Sequence, residues 1–239
     1  MADAQLASNN GIVSGFVSYN GGEVGSIDGY IALPNDRKAH PGVILIQEWW
    51  GIEPHIQELT QRLAREGYIV LAPDLFHGNV ATEPDEAMKA TMALNRDAAV
   101  AEVRSGIDYL QQRDDVQPKQ VGVVGFCMGG LLVWRIAELE NGDLAAIAPF
   151  YAAHYHPSAE DIARVTAPAL VVWGEQDASI SAQDRQHITQ LLQQQGKTHQ
   201  VLVYPAGHAF MNDRHGDYNQ PSAEQAWAAL LAWFKRYLG

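Results

Sequence analysis

The chain contains one cysteine, Cys127, within the run Val-Gly-Val-Val-Gly-Phe-Cys-Met-Gly-Gly at residues 121–130. A turn of the form Gly-x-nucleophile-x-Gly between a strand and a helix needs Gly125 and Gly129, because a Cβ at either position would collide with neighbouring backbone. The turn places the sulfur at the N-terminus of the following helix, where free N–H groups stabilise a thiolate or an oxyanion. We therefore interpret Cys127 as a catalytic nucleophile, although serine is the usual residue in this motif.

Polar residues that suit such a nucleophile follow other predicted strands. Glu48, Asp177 and His208 come directly after apolar runs, and the carboxyl ends of parallel strands meet at one edge of a sheet. The order nucleophile, acid, histidine is that of α/β-hydrolases. His208 would be the base and Asp177 would hold its tautomer. Glu175 is the rival acid, and Asp177 is preferred because its longer loop reaches further over the sheet.

Other readings of these residues remain open. Cys127 is also compatible with a buried structural residue, a redox or electrophile sensor, or part of a non-catalytic binder. A sensor needs neither Asp177 nor His208. His154-x-His156 has metal-ligand residue types but lacks a clear third ligand, so we predict loop residues and no metal.

Several large apolar residues follow the same strands. Each is compatible with a pocket wall or with the core: Trp49, Trp50, Phe76, Tyr151 and Phe210.

Composition narrows the class of protein. The 239 residues carry 16 Lys and Arg against 28 Asp and Glu, a net charge of −12, which argues against nucleic acid or an anionic membrane as partner. One cysteine rules out an intrachain disulfide. Residues 1–10 show no targeting signal, and no apolar run is long enough for a membrane span. We expect a single cytoplasmic domain over residues 1–239.

Apolar runs and helical periodicities alternate along the chain, which predicts an α/β fold with a mostly parallel sheet and helices on both faces. A hairpin at one edge is predicted over residues 12–19 and 26–33. The other predicted strands cover residues 43–46, 68–72, 120–124, 144–150, 169–173 and 200–204. The predicted helices cover residues 54–66, 83–112 with a break near Asn95, 128–139, 182–195 and 222–238.

These motifs together resemble the dienelactone hydrolase family of α/β-hydrolases. The matching pieces are Gln-Glu-Trp-Trp-Gly at 47–51, Ala-Pro-Asp-Leu at 72–75, Gly-Phe-Cys-Met-Gly-Gly at 125–130, Gly-x-x-Asp at 174–177 and Ala-Gly-His-x-Phe at 206–210. They run in the family's order over nearly the whole chain, so their combination is specific although each alone is not.

The resemblance implies a hydrolase of small esters or lactones that needs no cofactor and acts through Cys127, His208 and Asp177. It also implies an oxyanion hole from the backbone N–H groups of Met128 and Trp49. Glu48 would be an auxiliary residue, since the family's glutamate contacts the nucleophile and helps to generate the thiolate as substrate binds.

The chain departs from the family where substrate is held. The founding enzymes bind their substrate's carboxylate with one arginine after the Pro-Asp-Leu strand and another four residues after the histidine. Those places here carry Gly78 or its neighbours and Asn212, while Arg214 lies two residues further on. We expect Arg214, with Trp50, Phe76, Tyr151 and Phe210, to contact substrate, and the sequence leaves open whether that substrate carries a carboxylate.

Overall fold

Strands and helices alternate in the computed structural model, which describes residues 6–139, 142–215 and 217–239. The chain divides into two units, Met1–Val121 and Gly122–Gly239. The expectation of a single domain over residues 1–239 stays a prediction. Half of the stretch at residues 1–10, where no targeting signal is predicted, lies outside the described residues. Across the described ranges, none of the helices has the length and apolar character needed to cross a membrane.

The first unit carries five strands in the order β1-β2-β3-β5-β4. Its strands are β1 (Ala7–Asn9), β2 (Ile12–Asn20), β3 (Ser26–Pro34), β4 (Gly42–Ile46) and β5 (Ile69–Pro73). Its helices are α1 (Pro54–Arg65), α2 (Pro84–Ala93) and α3 (Arg96–Gln112), with a short 3-10 turn at Gly22–Val24. Strands β1, β2, β3 and β5 pair antiparallel, whereas β4 and β5 pair parallel.

Sequence accounts for these elements directly. Every residue of β4 and of β5 is buried, as expected for apolar runs in a parallel pair. Helix α1 starts with Pro54 in its first turn and is followed by Gly67 at φ 96°. The side chain of Asn95 accepts hydrogen bonds from the first turn of α3, which explains the predicted break.

The second unit carries strands in the order β6-β7-β8-β9. These are β6 (Val121–Phe126), β7 (Leu144–Phe150), β8 (Ala169–Gly174) and β9 (His199–Tyr204), and β8 pairs parallel with both β7 and β9. The helices are α4 (Met128–Leu139), α5 (Ala159–Arg164), α6 (Ala182–Gln194) and α7 (Gln220–Leu238). Helix α4 packs on β7, and α7 packs on β7 and β8.

A sharp turn at Cys127 joins β6 to α4. Cys127 has φ 55°, a left-handed conformation that is uncommon for a residue with a side chain. Its N–H donates to the Phe150 carbonyl at 3.1 Å, and the Leu131 N–H donates to its own carbonyl at 3.2 Å. A Cβ on Gly125 would lie 2.3 Å from the Gly129 oxygen, and one on Gly130 would lie 2.6 Å from the Phe150 oxygen. The requirement for glycine at 125 is thus confirmed, and the structure shows a further requirement at Gly130. The requirement for glycine at 129 stays a prediction.

The predicted α/β class is confirmed, with parallel strands and an antiparallel N-terminal hairpin. Two short elements were not predicted. Strand β1 has three exposed residues and therefore no alternation of buried and exposed positions to detect. Helix α5 has six residues, and its signal is a capping box between Ser158 and Asp161.

Replacing Gly125 with Ala should lower the free energy of unfolding by at least about 2 kcal/mol, because the new methyl group meets rigid backbone. Gly122→Ala in the same strand is the matched control. Its Cβ would approach the side chains of Leu238 at 3.0 Å and Phe234 at 3.1 Å, so side chains and not backbone would have to shift. Urea denaturation of both variants checks this, and equal losses would contradict the backbone explanation.

Candidate active site

Three of the predicted site residues come together in the second unit. His208 Nε2 lies 3.0 Å from Cys127 Sγ, and His208 Nδ1 donates to Asp177 Oδ2 at 2.6 Å. The Asp177 side chain is fully buried, while about a quarter of the His208 side chain is exposed. This is the geometry of a nucleophile, a proton-transferring imidazole and an orienting carboxylate.

The turn positions the nucleophile at a helix start. Met128 is the first residue of α4, so its N–H has no acceptor within the helix. The left-handed backbone of Cys127 directs the chain from β6 into α4 within one residue. A charge that develops on an atom bonded to Sγ would therefore lie near unsatisfied N–H donors.

The acid of this group is better matched by Asp177 than by Glu175. Asp177 contacts His208 and is buried, whereas Glu175 is exposed to solvent. Glu175 follows β8 directly, and its N–H donates to the Tyr204 carbonyl at 2.7 Å. Two further residues of loop carry Asp177 to the imidazole.

Ser179 is a member of this group that the sequence analysis missed. Its hydroxyl donates to Asp177 Oδ1 at 2.5 Å and lies 3.0 Å from His208 Nδ1. Its N–H also donates to Asp177 Oδ1 at 2.8 Å. The signal was present as Asp-x-Ser after a strand, a pattern in which an aspartate often accepts from the residue two positions on.

Electrostatics within the group favour a charged pair. Burial by itself lowers the pKa of His208, but hydrogen bonds to Asp177 and Cys127 and the charges of both raise that pKa to about 10. Burial raises the pKa of Asp177, yet hydrogen bonds from His208 and Ser179 outweigh it and hold the pKa below its ordinary value. At neutral pH the imidazolium and the carboxylate are the favoured forms.

Two predicted pocket residues are buried, and one of them, Tyr151, packs on the histidine. Tyr151 and Phe210 are fully buried. The Tyr151 ring lies 5.2 Å from the His208 ring and 5.5 Å from the Phe210 ring, both edge-on. Tyr151 has φ 35°, and its N–H donates to the Val172 carbonyl at 2.7 Å. The Tyr151 ring thus limits rotation of the imidazole, and Phe210 packs on Tyr151. A role of either residue in substrate binding stays a prediction.

Glu48, Trp49, Trp50 and Phe76 belong to the first unit. Glu48 is 1% exposed and follows β4 closely. Trp49 and Trp50 pack edge-on with ring centroids 5.1 Å apart, and Trp50 joins a small apolar cluster with Ala81 and Ala87. Phe76 lines a cleft of about 340 Å³. The auxiliary role of Glu48, the oxyanion role of Trp49 and the substrate contacts of Trp50 and Phe76 stay predictions.

The positions that depart from the family pattern have structural roles. Asn212 is fully buried, and its side-chain oxygen accepts from the Arg214 N–H at 3.0 Å. The Arg214 Nε lies 3.6 Å from Asp213, and its side chain is about half exposed. Asn212 thus shapes the turn that presents Arg214, whose contact with substrate stays a prediction.

The His154 and His156 pair occupies the loop after β7. His154 has φ 59°, and His156 Nδ1 lies 3.6 Å from Asp184 Oδ1. Across residues 6–139, 142–215 and 217–239, no three or more side chains of His, Cys, Asp or Glu gather as a metal site would require.

Comparisons with known proteins bear on this geometry. The model of the dienelactone hydrolase family matches residues 27–238. Protein usf of Aquifex pyrophilus is 34% identical over 220 residues, covering 89% of this chain and 94% of the relative. A Synechocystis protein provisionally named carboxymethylenebutenolidase is 31% identical over 229 residues, covering 89% of this chain and 92% of that protein.

A solved structure agrees. The crystal structure of a Klebsiella pneumoniae protein, provisionally described as a dienelactone hydrolase, superposes with a TM-score of 0.86 at 28% identity. The match covers 95% of this chain and all of that one.

Replacing Asp177 with Asn should lower the pKa of His208 from about 10 toward its ordinary value of 6.5, because a neutral amide stabilises the imidazolium less. The His208 ring followed by NMR across pH measures this. Glu175→Gln is the matched control and should leave the titration unchanged. Equal shifts in the two variants would show that Asp177 is not the specific partner.

The same pKa sets a pH dependence of stability. The pKa of His208 is higher in the folded protein than in the unfolded chain, so its protonation contributes to the free energy of unfolding. That contribution is complete below about pH 6.5 and is lost as the pH rises through about 10. The difference in unfolding free energy between wild type and Asp177→Asn should therefore shrink above pH 9. A difference that grew with alkaline pH would contradict this sign.

Proposed function

Because this chain belongs to the dienelactone hydrolase family of α/β-hydrolases, we propose that it hydrolyses small esters or lactones through an acyl-enzyme on Cys127. The observation that carries the proposal is the His208 Nε2 to Cys127 Sγ distance of 3.0 Å, with Asp177 on the far side of the imidazole. Family membership supplies the reaction class, and this contact supports Cys127 as the nucleophile.

The first half-reaction uses the charged pair. An imidazolium beside the sulfur stabilises a thiolate, which attacks the acyl carbon and forms a C–S bond. The C–O bond to the alcohol then breaks, and His208 Nε2 gives its proton to the leaving oxygen. In a lactone the two products stay joined, so the alcohol remains part of the bound acyl group.

The second half-reaction returns the enzyme to its starting state. Neutral His208 takes a proton from water as the water oxygen attacks the thioester carbon. The C–S bond breaks and restores the thiolate beside the imidazolium. The carboxylic acid leaves and gives its remaining proton to solvent, so the product is the carboxylate. Asp177, held by Ser179, stabilises the imidazolium at both stages.

Both half-reactions pass through a tetrahedral oxyanion, which we assign to the backbone N–H groups of Met128 and Trp49. The place of Met128 at the start of α4 supports its part. Trp49 is assigned from the family motif at residues 47–51. Loss of one such donor typically costs about 10²-fold or more in rate.

We propose that Glu48 keeps Cys127 in its thiol form until substrate binds. A carboxylate that faces a thiol disfavours the thiolate until something draws the carboxylate away. Its burial, at 1% exposed, keeps the carboxylate away from bulk water, as this role requires.

The substrate need not resemble the family's founding dienelactones. The positions of both carboxylate-binding arginines carry other residues, and Asn212 is buried in the backbone turn before Arg214. We propose small esters or lactones in general, with Arg214 as the one candidate cation in that turn for an acidic group on the substrate.

The assembled partners also weigh against a sensor. A redox or electrophile sensor needs a reactive thiol but neither an imidazole at 3.0 Å nor a carboxylate behind it. Hydrolysis needs all three groups in this order.

Cys127→Ala should reduce hydrolysis of activated esters such as p-nitrophenyl acetate by at least about 10³-fold, since the covalent route is lost. A slowly hydrolysed ester should leave an acyl group on Cys127 of the wild type, which mass spectrometry of the intact protein and its peptides detects. Unchanged rates in Cys127→Ala would refute the proposal. Rapid peroxide oxidation of Cys127 without a trapped acyl group would favour the sensor.

Glu48→Gln should make Cys127 react faster with iodoacetamide in the absence of substrate, because the amide no longer disfavours the thiolate. Turnover of activated esters should fall in the same variant. Glu66→Gln, which changes an exposed carboxylate in the same unit, is the control. A Glu48→Gln variant whose alkylation rate matches that of wild type would remove Glu48 from the mechanism.

A further inference from the structure

A cleft of about 360 Å³ in the first unit contains two adjacent cations, Arg37 and Lys38. Its apolar wall is formed by Val13, Leu33, Pro34 and Ile69. The cleft lies where β5 begins, since Ile69 is the first residue of that strand, whereas Glu48 and the Asp74 loop follow the ends of β4 and β5. The cleft therefore lies at the N-terminal end of the parallel strands β4 and β5, whereas the loop of Glu48 lies at their C-terminal end.

The loop that presents the two cations is fastened at both ends. The Asn35 N–H donates to the Gly11 carbonyl at 2.9 Å. At the other end, the His40 N–H donates to the Asp115 carbonyl, and the Gln117 N–H donates to the His40 carbonyl, both at 2.9 Å. A cleft wall held in this way does not have to be ordered by its ligand, which lowers the cost of binding.

The backbone within the loop is fixed as well. Arg37 has φ 58°, a left-handed conformation that a long side chain rarely adopts. The Lys38 N–H donates to Asp36 Oδ1 at 3.1 Å, and His40 Nε2 contacts the same oxygen at 2.9 Å. The hydrogen bond from His40 holds the pKa of Asp36 below its ordinary value, so the carboxylate is charged and engaged.

The cations have less compensation than the carboxylates beside them. Within the described part of the chain, the Arg37 guanidinium has neither an ion-pair partner nor a hydrogen bond. Lys38 Nζ is 4.0 Å from Asp36, and its side chain is 76% exposed. Asp115 also lines the cleft, but it accepts two hydrogen bonds from Arg113 at 2.8 and 2.7 Å, so its charge is compensated. In a chain with a net charge of −12, the cleft is a local site for an anion.

The apolar wall indicates that the ligand has an apolar part as well as a negative charge. Val13, Leu33 and Pro34 are half-buried, so they expose hydrocarbon next to the two cations, and the buried Ile69 forms the base of the wall. The volume is at the lower end of that of small-molecule sites, which typically combine apolar walls with a few polar groups. A ligand that fills it pairs one anionic group with a short apolar body.

We propose that this cleft binds a small carboxylate with an apolar body, its carboxylate on Arg37 and Lys38 and its hydrocarbon on Val13, Leu33 and Ile69. Ester hydrolysis releases acids of this class. Binding at the cleft does not depend on the activity proposed above, because none of its residues belongs to the catalytic group.

Titration of the full-length protein with hexanoate tests the proposal, with methyl resonances of Val13, Leu33 and Ile69 as the readout. Hexanoate should shift these resonances in a saturable way, and hexanol and hexylammonium should not. Arg37→Asn removes the charge with a residue that tolerates the left-handed conformation, and it should weaken binding about fivefold or more. Arg65→Gln, an exposed arginine at the end of α1, is the matched control and should leave binding unchanged.

The alternatives have distinct results. Equal binding of hexanoate to wild type and Arg37→Asn, or shifts confined to residues of the second unit, would overturn the site. Inorganic phosphate that binds as tightly as hexanoate would overturn the ligand class, because the apolar wall would then contribute nothing. Cys127→Ala should bind hexanoate like wild type, so a failed hydrolase assay and a failed cleft assay are separable.

Discussion

The left-handed backbone at Cys127 is the constraint on which the site depends. It turns β6 into α4 within one residue, and it holds only because Gly125 and Gly130 leave room for other backbone. The N–H of Cys127 is committed to the Phe150 carbonyl, which ties the turn to β7. Strain of this kind persists only where the surrounding structure enforces it. The sulfur is consequently presented by rigid elements and not by a mobile loop.

The buried carboxylate of Asp177 holds His208 and Ser179 in place on the far side of the imidazole from the sulfur. Asp177 would be costly inside the protein without compensation, and it receives hydrogen bonds from His208 and from both the hydroxyl and the N–H of Ser179. The carboxylate in turn keeps the proton on His208, so the stability of the folded protein and the proposed reaction draw on the same contacts. The buried ring of Tyr151 packs edge-on against the imidazole and limits its rotation.

The reaction class and the substrate depend on different parts of the chain. Family membership and the turn at Cys127 indicate a reaction at an acyl carbon. Every ester and every lactone has such a carbon. Selection of one ester over another depends on the residues around the acyl group, and the chain differs from the family's founding members there. Asn212 in particular lies in a buried turn, so a variant with arginine at this position would have to rebuild that turn.

The amino-acid sequence by itself determined the α/β class, most element boundaries within a few residues, and the identity of Cys127, Asp177 and His208 as candidates. It could do so because glycine spacing, apolar periodicity and caps are local signals. Only the tertiary structure decided that Asp177, not Glu175, contacts His208 and that the Ser179 hydroxyl lies beside the His208 ring. The same holds for the packing of Tyr151 on the imidazole. Those outcomes depend on where loops that are distant in sequence meet, and no local pattern encodes a distance across 31 or 81 residues of chain.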